Sequence, residues 1–329
     1  MDARWGVNRG ILRRASRKLI VIPLRASTKW VLSLLKLKCL PAEQRADAVD
    51  VLLSNPVIVD TPHGKIRFLN HSRRSCKRAR TIMTKEPDSM KWIDAMEPGS
   101  VFWDIGANVG VLTLYAAMRG DLEVWAFEPA AVNYYNLVAN CELNHLDKRV
   151  RCLQLGFSDT VGIANLHVSQ LMSAHSFTFK ESKKKKFRQR TYPALQAVQV
   201  CTIDDFIARY SAPCPNYIKI DVLGLTYEIF KGAQRTLAQA ALREIQVEAK
   251  EHGGGRRISE LLAPLGFKVI KRGMRLEGQL QRDLVFARDL PHPMLAGEGP
   301  GFPPTSPPIL VNKSAAHGPS TELGLMRRS

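Results

Sequence analysis

Two patterns of apolar residues alternate between residues 98 and 290. Short apolar runs, typical of buried strands, are followed by longer stretches in which apolar residues recur at helical spacing. The predicted strands are Val101 to Asp104, Val124 to Phe127, Val150 to Leu155, Ala164 to Val168, Tyr217 to Asp221, Glu244 to Glu248, Lys268 to Ile270 and Leu284 to Ala287, the last closing the sheet. Helices are predicted after Gly110 and over Asn133 to Leu143, Thr202 to Tyr210, Tyr227 to Gln239 and Ile258 to Leu265. This alternation predicts an α/β fold, with a Rossmann-like, doubly wound, mostly parallel sheet and helices on both faces.

The remaining residues divide into three segments. Residues 1–40 are predicted to form a basic, amphipathic, helical N-terminal extension. Residues 291–329 are rich in Pro, Gly and Ser and are predicted to be a disordered tail. Residues 41–97 are predicted to be a lead-in that caps the core domain, residues 98–290. The lead-in contains a hairpin from Val57 to Leu69, a basic stretch from Arg73 to Arg80 and a helix from Glu86 to Glu97.

The formal net charge of +18 predicts affinity for anionic partners. Ten basic residues lie in the first forty positions against one acid, Asp2. No uncharged run there reaches the roughly 18 residues that span a bilayer, and no apolar core precedes a small-residue cleavage site. The segment therefore predicts a reversible anchor on an anionic membrane surface. A mitochondrial-type targeting sequence and a packed or solvated helix are the alternatives.

Six cysteines are scattered along the chain without a C-x-x-C pair. This spacing argues against a zinc site or a disulfide framework and predicts no metal. It favours a reducing compartment, so we expect the protein in the cytoplasm, either free or peripheral at the inner face of the membrane.

A tight turn of small residues follows the strand that ends in Asp104. Gly106, Asn108 and Gly110 give the spacing G-x-N-x-G, and Glu128 ends the next strand about 20 residues later. Strand, glycine turn, helix and strand with a terminal acid form the first half of a nucleotide-binding unit, in which the acid holds the ribose hydroxyls.

Asp104 and the altered glycine spacing indicate which nucleotide binds. A dinucleotide site uses G-x-G-x-x-G to bring helix amides onto a pyrophosphate, which a carboxylate beside the turn would repel. The same carboxylate suits a ligand that carries an ammonium group and a sulfonium, which predicts S-adenosylmethionine. A nicotinamide or flavin site, and a turn that binds nothing, are the alternatives.

Four stretches resemble the FkbM family of S-adenosylmethionine-dependent methyltransferases. They are WDIGANVGVLTLYAA, VWAFEPAAVNYYNLVANCELN, TIDDFI and YIKIDVLGLTYEIFKGA, and the resemblance extends from Glu86 to Arg288. It implies a class I methyltransferase fold and methylation of a hydroxyl oxygen on a sugar, glycolipid or related small metabolite. By this resemblance Asp104, Gly106, Asn108 and Gly110 form the cofactor loop, Glu128 binds the ribose, Ser158 and Asp159 flank the adenine, and Asp221 lies beside the transferred methyl group.

The chain departs from the family pattern after Asp221. The family usually has I-K-I-D-V-E-G followed by an alanine and a second acid, whereas Leu223 and Thr226 stand in place of the two acids here. If those acids contact substrate or a metal in relatives, this protein has an altered acceptor site or is catalytically inactive.

Methyl transfer to an alcohol needs an oriented oxygen and a base that takes its proton. Asp221 is the first candidate base, because strand ends at the carboxyl edge of such a sheet face the ligand. Lys219 lies two residues earlier on the same strand face and could orient Asp221. Glu248, which ends the next strand, and His175 are further candidates.

The basic loop from Lys180 to Arg190 leaves a second function open. It suits an acidic glycolipid or a nucleic acid backbone, and a Lys/Asp pair could also serve RNA ribose 2′-O-methylation. However, no aromatic residues are interleaved with the lysines as a base-stacking surface would require. The sequence therefore favours a hydroxylated sugar or glycolipid acceptor over nucleic acid.

Overall fold

The computed structural model describes Pro41, Glu43 and residues 55–168, 194–222, 224–250, 254–272 and 281–288. Its strands are β1 (Val57–Thr61), β2 (Gly64–Phe68), β3 (Val101–Ile105), β4 (Glu123–Phe127), β5 (Val150–Leu153), β6 (Gly156–Phe157), β7 (Gly162–Val168), β8 (Ala194–Cys201), β9 (Tyr217–Ile220), β10 (Glu244–Lys250), β11 (Phe267–Arg272) and β12 (Gln281–Arg288). Its helices are α1 (Arg73–Arg80), α2 (Ile82–Lys85), α3 (Pro87–Asp94), α4 (Val111–Arg119), α5 (Ala131–Leu143), α6 (Ile203–Tyr210), α7 (Thr226–Lys231), α8 (Gln234–Ala238) and α9 (Arg256–Leu262).

Seven strands form the central sheet in the order β11-β12-β10-β9-β3-β4-β5. The pairs β10–β9, β9–β3, β3–β4 and β4–β5 are parallel, and β12 is antiparallel to both of its neighbours. The predicted Rossmann-like, mostly parallel sheet is confirmed. The expectation that Leu284 to Ala287 closes the sheet is wrong, because β12 lies between β10 and β11 and the edge strand is β11.

Successive residues of the buried strands pack into two different hydrophobic cores, one on each face of the sheet. On β3, Trp103 packs with α6 to α9 in the first core, and Phe102 packs with α3, α4 and the β1–β2 hairpin in the second. Trp103 lies 5.0 Å from Phe127 and 5.7 Å from Phe206 between ring centroids. Strands buried on both faces explain why the sequence shows continuous apolar runs rather than alternation.

Several elements differ from the sequence expectations, among them the predicted strand Ala164 to Val168, which lies in a small separate sheet rather than in the central one. The basic stretch Arg73–Arg80 is a helix, and Ala194–Cys201 is an additional strand in a small sheet of order β6-β8-β7. The helix expected over Tyr227 to Gln239 is divided into α7 and α8. The division falls at Gly232, where an added Cβ would overlap the carbonyl oxygen of Ser158.

The predicted N-terminal anchor, residues 1–40, and the predicted tail, residues 291–329, lie outside the described residues, so the four-segment division stays a prediction. Among the helices that the structure describes, none is both long and apolar enough to cross a membrane.

Asn140 of α5 and Asn144, which follows the last residue of α5, tether the β1–β2 hairpin to the core. The Asn140 side chain accepts from the Leu69 N–H at 2.8 Å and donates to the Val109 carbonyl at 2.8 Å. Asn144 makes a similar pair of hydrogen bonds with the backbone of Arg67 at the more exposed end of the hairpin. Since Val109 belongs to the glycine turn, Asn140 joins the hairpin to that turn.

Replacing Asn140 with alanine should reduce the free energy of unfolding by about 2–3 kcal/mol, because buried backbone donor and acceptor groups lose their partners. Asn144→Ala is the matched control and should cost less than about 1 kcal/mol, since water replaces its bonds. Urea denaturation measures both. Equal losses would contradict the distinction between the two tethers.

Candidate functional site

Polar side chains gather at the carboxyl edge of the parallel strands. Asp104 lies near the end of β3, Glu128 follows β4, and Asp221 follows β9. Asp104 of β3 lies opposite Lys219 of β9 in the parallel pairing of these two strands. This edge is where open α/β sheets bind their ligands.

The glycine turn after β3 runs through left-handed backbone. Gly106, Asn108 and Gly110 have φ angles of 85°, 56° and 83°. Asn108 tolerates this conformation because its side-chain oxygen accepts a local hydrogen bond, here from the Val109 N–H at 3.1 Å. An added Cβ on Gly106 would overlap the carbonyl oxygen of Asp221. The turn and the end of β9 are therefore in direct backbone contact.

Glu128 is buried behind the turn. Its two carboxylate oxygens accept the N–H groups of Asn108 at 2.8 Å and Ala130 at 2.9 Å. Burial raises the pKa of Glu128 to about 7, although these two hydrogen bonds favour the charged form. The acid thus holds the turn in place, and the Asn133 side chain adds a further hydrogen bond to it.

Asp104 carries an oxygen without a partner. Its Oδ2 accepts from the Thr113 hydroxyl at 2.6 Å, whereas its buried Oδ1 has no hydrogen bond within the described part of the chain. Burial raises the pKa of Asp104, and the Lys219 charge opposes this. An unpaired buried carboxylate oxygen beside a glycine turn fits a ligand that brings an ammonium group.

Ser158 and Asp159 follow β6 beside α7. The Ser158 N–H donates to Cys201 at 3.0 Å, and the Ser158 hydroxyl lies 3.3 Å from Asp159. Asp159 pairs with Lys231 at 2.9 Å, and the hydrogen bond from Lys231 lowers its pKa. These contacts join the pair to β8 and α7, and their role beside the adenine stays a prediction.

Lys219, Asp221 and Glu248 lie together at the ends of β9 and β10. Lys219 Nζ is 3.5 Å from Asp221 Oδ2; the Lys219 side chain is 8% exposed and that of Asp221 is 41% exposed. Burial raises the pKa of Asp221, but Lys219 and Arg78 outweigh it and the net shift is downward. Burial, and then the charge and hydrogen bond of Asp221, raise the pKa of Glu248 to about 8. The two shifts have opposite directions, so the pair favours a proton on Glu248 and a negative charge on Asp221.

Two further acids surround Lys219 that the sequence analysis did not select. Ser89 Oγ lies 3.3 Å from both Glu86 and Asp283 and accepts from Gln246 at 2.9 Å. Burial raises the pKa of both acids, and Lys219 opposes each shift. Asp283 directly precedes an apolar strand, and this position could have identified it as a site residue from the sequence. The sequence around Glu86 contains no comparable signal.

Carboxylates outweigh cations at this edge. In the described residues, no group of His, Cys, Asp and Glu side chains has the geometry to hold a metal ion. Thr226 is buried at the start of α7. His175, Leu223 and the basic loop Lys180 to Arg190 lie outside the described residues.

The parallel sheet, the glycine turn and the acid that follows β4 define a Rossmann-like nucleotide-binding protein of the class I methyltransferase type. The sequence profile described as the methyltransferase FkbM domain matches residues 104–269, just over half of the 329 residues. The chain belongs to the FkbM family, and it is an S-adenosylmethionine-dependent methyltransferase.

Individual relatives are distant. The chain is 23% identical over 197 residues to the hexuronic acid methyltransferase AglP of Haloferax volcanii, covering 60% of this chain and 76% of that protein. It is 27% identical over 191 residues to the methyltransferase sdnD of Sordaria araneosa, covering 51% and 73% respectively. The crystal structure of the methyltransferase FkbM from Methylobacillus flagellatus KT aligns with a TM-score of 0.42 at 15% identity, over 65% of this chain and 55% of that chain.

Gly106→Ala should weaken binding of S-adenosylhomocysteine by at least about tenfold, because the new Cβ must displace the backbone of Asp221 as well as adopt a left-handed conformation. Gly99→Ala is the matched control: its φ is 78°, but its Cβ meets open space. It should cost about 1–2 kcal/mol of stability and leave affinity unchanged. Calorimetric titration and thermal unfolding measure the two effects. Equal affinities for the two variants would refute the steric argument.

If Glu128 binds the ribose, its raised pKa should make the cofactor affinity depend on pH. Below about pH 7 the free protein holds Glu128 neutral, and a hydroxyl donates more strongly to the charged form. Binding of 5′-methylthioadenosine, which has the ribose but no amino acid group that titrates, should weaken by about tenfold from pH 8 to pH 6. Glu128→Gln should bind weakly without that dependence. Parallel pH profiles for the two proteins would exclude Glu128 from ribose binding.

Proposed function

We propose that the protein transfers a methyl group to a hydroxyl oxygen of a sugar, a glycolipid or a related small metabolite. The observation that carries this proposal is the Asp221 carboxylate. Its side chain is 41% exposed, Lys219 Nζ lies 3.5 Å away, and its pKa is lowered by the charges of Lys219 and Arg78 in spite of burial. Such a group can accept a proton from an alcohol at neutral pH.

The position of Asp221 supports its role at the reacting centre. Its N–H donates to the Ile105 carbonyl at 3.0 Å, directly before the glycine turn. Its carbonyl oxygen occupies the space that a side chain on Gly106 would need. Asp221 is therefore fixed to the turn through its backbone while its carboxylate stays open to an acceptor.

The cofactor residues proposed here fit S-adenosylmethionine. The unpaired Oδ1 of Asp104 would accept from the ammonium group, and Glu128 would accept from the ribose hydroxyls. Gly106 and Gly110 let the backbone approach the ligand. When bound, S-adenosylmethionine supplies a methyl group activated by a sulfonium.

The protein's own task is then to orient the acceptor and move one proton. Asp221 accepts the hydroxyl proton as the oxygen–methyl bond forms. Lys219 keeps Asp221 ionised, and the hydrogen bond from Glu248 fixes the direction of the carboxylate. A positioned base of this kind is typically worth about 10²–10⁴ in rate.

Two observations support a sugar acceptor. The relative from Haloferax volcanii is named for methylation of a hexuronic acid. The net charge of +18 favours acidic acceptors and anionic surfaces. We infer from the same charge that residues 1–40 bring the protein to the inner face of a membrane, where a glycolipid acceptor would be found.

The proposal is tested by incubating the protein with radiolabelled methyl donor and fractionated host extract. Label should enter the polysaccharide or lipid fraction. Asp221→Asn should lower turnover by about 10²–10⁴ while donor affinity stays within a few-fold. Asp60→Asn removes an exposed carboxylate, 82% accessible, and is the matched control that should keep full turnover.

Other outcomes separate the alternatives. Label in RNase-sensitive material would favour RNA ribose 2′-O-methylation. Donor binding without any label transfer would favour an inactive S-adenosylmethionine-binding protein. Unaltered turnover of Asp221→Asn on the true acceptor would remove this residue from the mechanism and leave Glu248 and His175 as candidates.

A further inference from the structure

Two cysteines face each other where helix α5 packs on strand β5. Cys141 lies near the end of α5, Cys152 lies within β5, and their Sγ atoms are 3.7 Å apart. Both are free cysteines, and within the described residues they are the one pair of cysteines whose sulfur atoms are in contact. A disulfide between them requires the two sulfur atoms to approach by roughly 1.7 Å, because the covalent S–S distance is about 2.0 Å.

The two thiols differ in their surroundings. Cys141 is 2% exposed, whereas Cys152 is half-buried. Both line a cavity whose other walls are Tyr134, Val138, Asp147 and Val150. The hydrogen bond with Cys152, together with burial, raises the pKa of the Cys141 thiol, so Cys141 keeps its proton. Cys152 is therefore the thiol that meets an oxidant first, and Cys141 is the thiol that completes a disulfide.

Each cysteine is next in sequence to a residue that contacts the candidate cofactor site. The residue before the helix cysteine, Asn140, donates to the Val109 carbonyl within the glycine turn at 2.8 Å. The residue after the strand cysteine, Leu153, accepts the Glu128 N–H with its carbonyl oxygen at 3.1 Å. A covalent bond between the two cysteines would therefore move the segments that hold the turn and the acid.

We propose that Cys141 and Cys152 form a reversible disulfide that weakens cofactor binding. The oxidant is a small disulfide such as glutathione disulfide. The Cys152 thiolate attacks one sulfur atom of the oxidant and releases the first glutathione, and Cys141 then displaces the second glutathione from Cys152. The S–S bond of the oxidant breaks as that of the protein forms. The two thiol protons end on the two glutathione molecules, and two electrons pass from the protein to the oxidant.

The disulfide and the bound cofactor oppose each other because they require different positions of the same two segments. In the thiol form, Asn140 and Leu153 hold the glycine turn and Glu128 as described above. In a reducing compartment, which the scattered cysteines favour, the pair stays in this form. An oxidising shift would then lower methylation by lowering cofactor affinity, whatever the acceptor is.

The equilibrium of the pair in glutathione buffers tests the proposal with the full-length protein. Alkylation and peptide mapping by mass spectrometry identify the linkage, and calorimetry measures S-adenosylhomocysteine binding in the same buffers. We expect a Cys141–Cys152 linkage that dithiothreitol reverses, and an affinity at least about fivefold lower in the oxidised protein. Because such coupling is reciprocal, saturating S-adenosylhomocysteine should disfavour the disulfide by the same factor.

Serine variants separate this pair from the other cysteines. Cys152→Ser should abolish the linkage and make the affinity independent of the glutathione buffer. Cys141→Ser should do the same, and Cys152→Ser decides the test if the change at the buried position prevents folding. Cys214→Ser is the matched control, because Cys214 is also half-buried but its thiol lies 3.9 Å from the Pro215 carbonyl instead of beside a second thiol. It should behave as the unaltered protein. Absence of the Cys141–Cys152 linkage, or equal affinities of the oxidised and reduced protein, would overturn the proposal.

Discussion

The buried ammonium group of Lys219 is the constraint on which the site depends. Removing such a charge from water costs several kcal/mol unless nearby partners compensate. Here the partners come from separate elements of the chain: Glu86, Asp104, Asp221, Glu248 and Asp283. These partners come from β3, β9, β10, β12 and the α2–α3 junction, so all of these elements must be in place to surround one cation. The α2–α3 segment is therefore joined to the carboxyl edge of the sheet through electrostatics as well as through apolar packing. Loss of Lys219 would leave several buried carboxylates without a counter-charge.

One cation faces five neighbouring acidic side chains, and the pKa values of these acids shift in different directions. Burial raises the pKa values of Glu86, Asp104 and Asp283, and it raises that of Glu248 to about 8. Asp221 alone among the five has a lowered pKa, because the charges of Lys219 and Arg78 outweigh its burial. Among these acids, Asp221 is thus the one whose surroundings favour the charged form. Its neighbours, rather than its strand position alone, cause this difference.

Local sequence patterns predicted the central sheet and the glycine turn because each depends on residues close together in the chain. The turn needs residues that tolerate positive φ, and these can be recognised in the sequence. Asp104 and Glu128 could be identified because each ends a predicted strand. Features set by distant contacts were missed. The helix breaks at Gly232, where the Ser158 backbone leaves no room for a side chain. Glu86 is joined to the site through Ser89, which also contacts Asp283, and through the charge of Lys219. The strand Ala194–Cys201 alternates between apolar and polar residues, which is a local signal. The sequence analysis nevertheless predicts no strand between the basic loop and the helix that begins at Thr202.

The net charge and the site charges act over different distances. At physiological salt the field of a surface charge falls off over about 8 Å. A protein of net charge +18 therefore concentrates anions near its surface but cannot orient them. Orientation requires charges within contact distance, such as those of Lys219 and Asp221, whose Nζ and Oδ2 atoms lie 3.5 Å apart. Since an ion pair of this kind carries little net charge, it can align the polar groups of an acceptor without adding to the field that attracts anions to the surface.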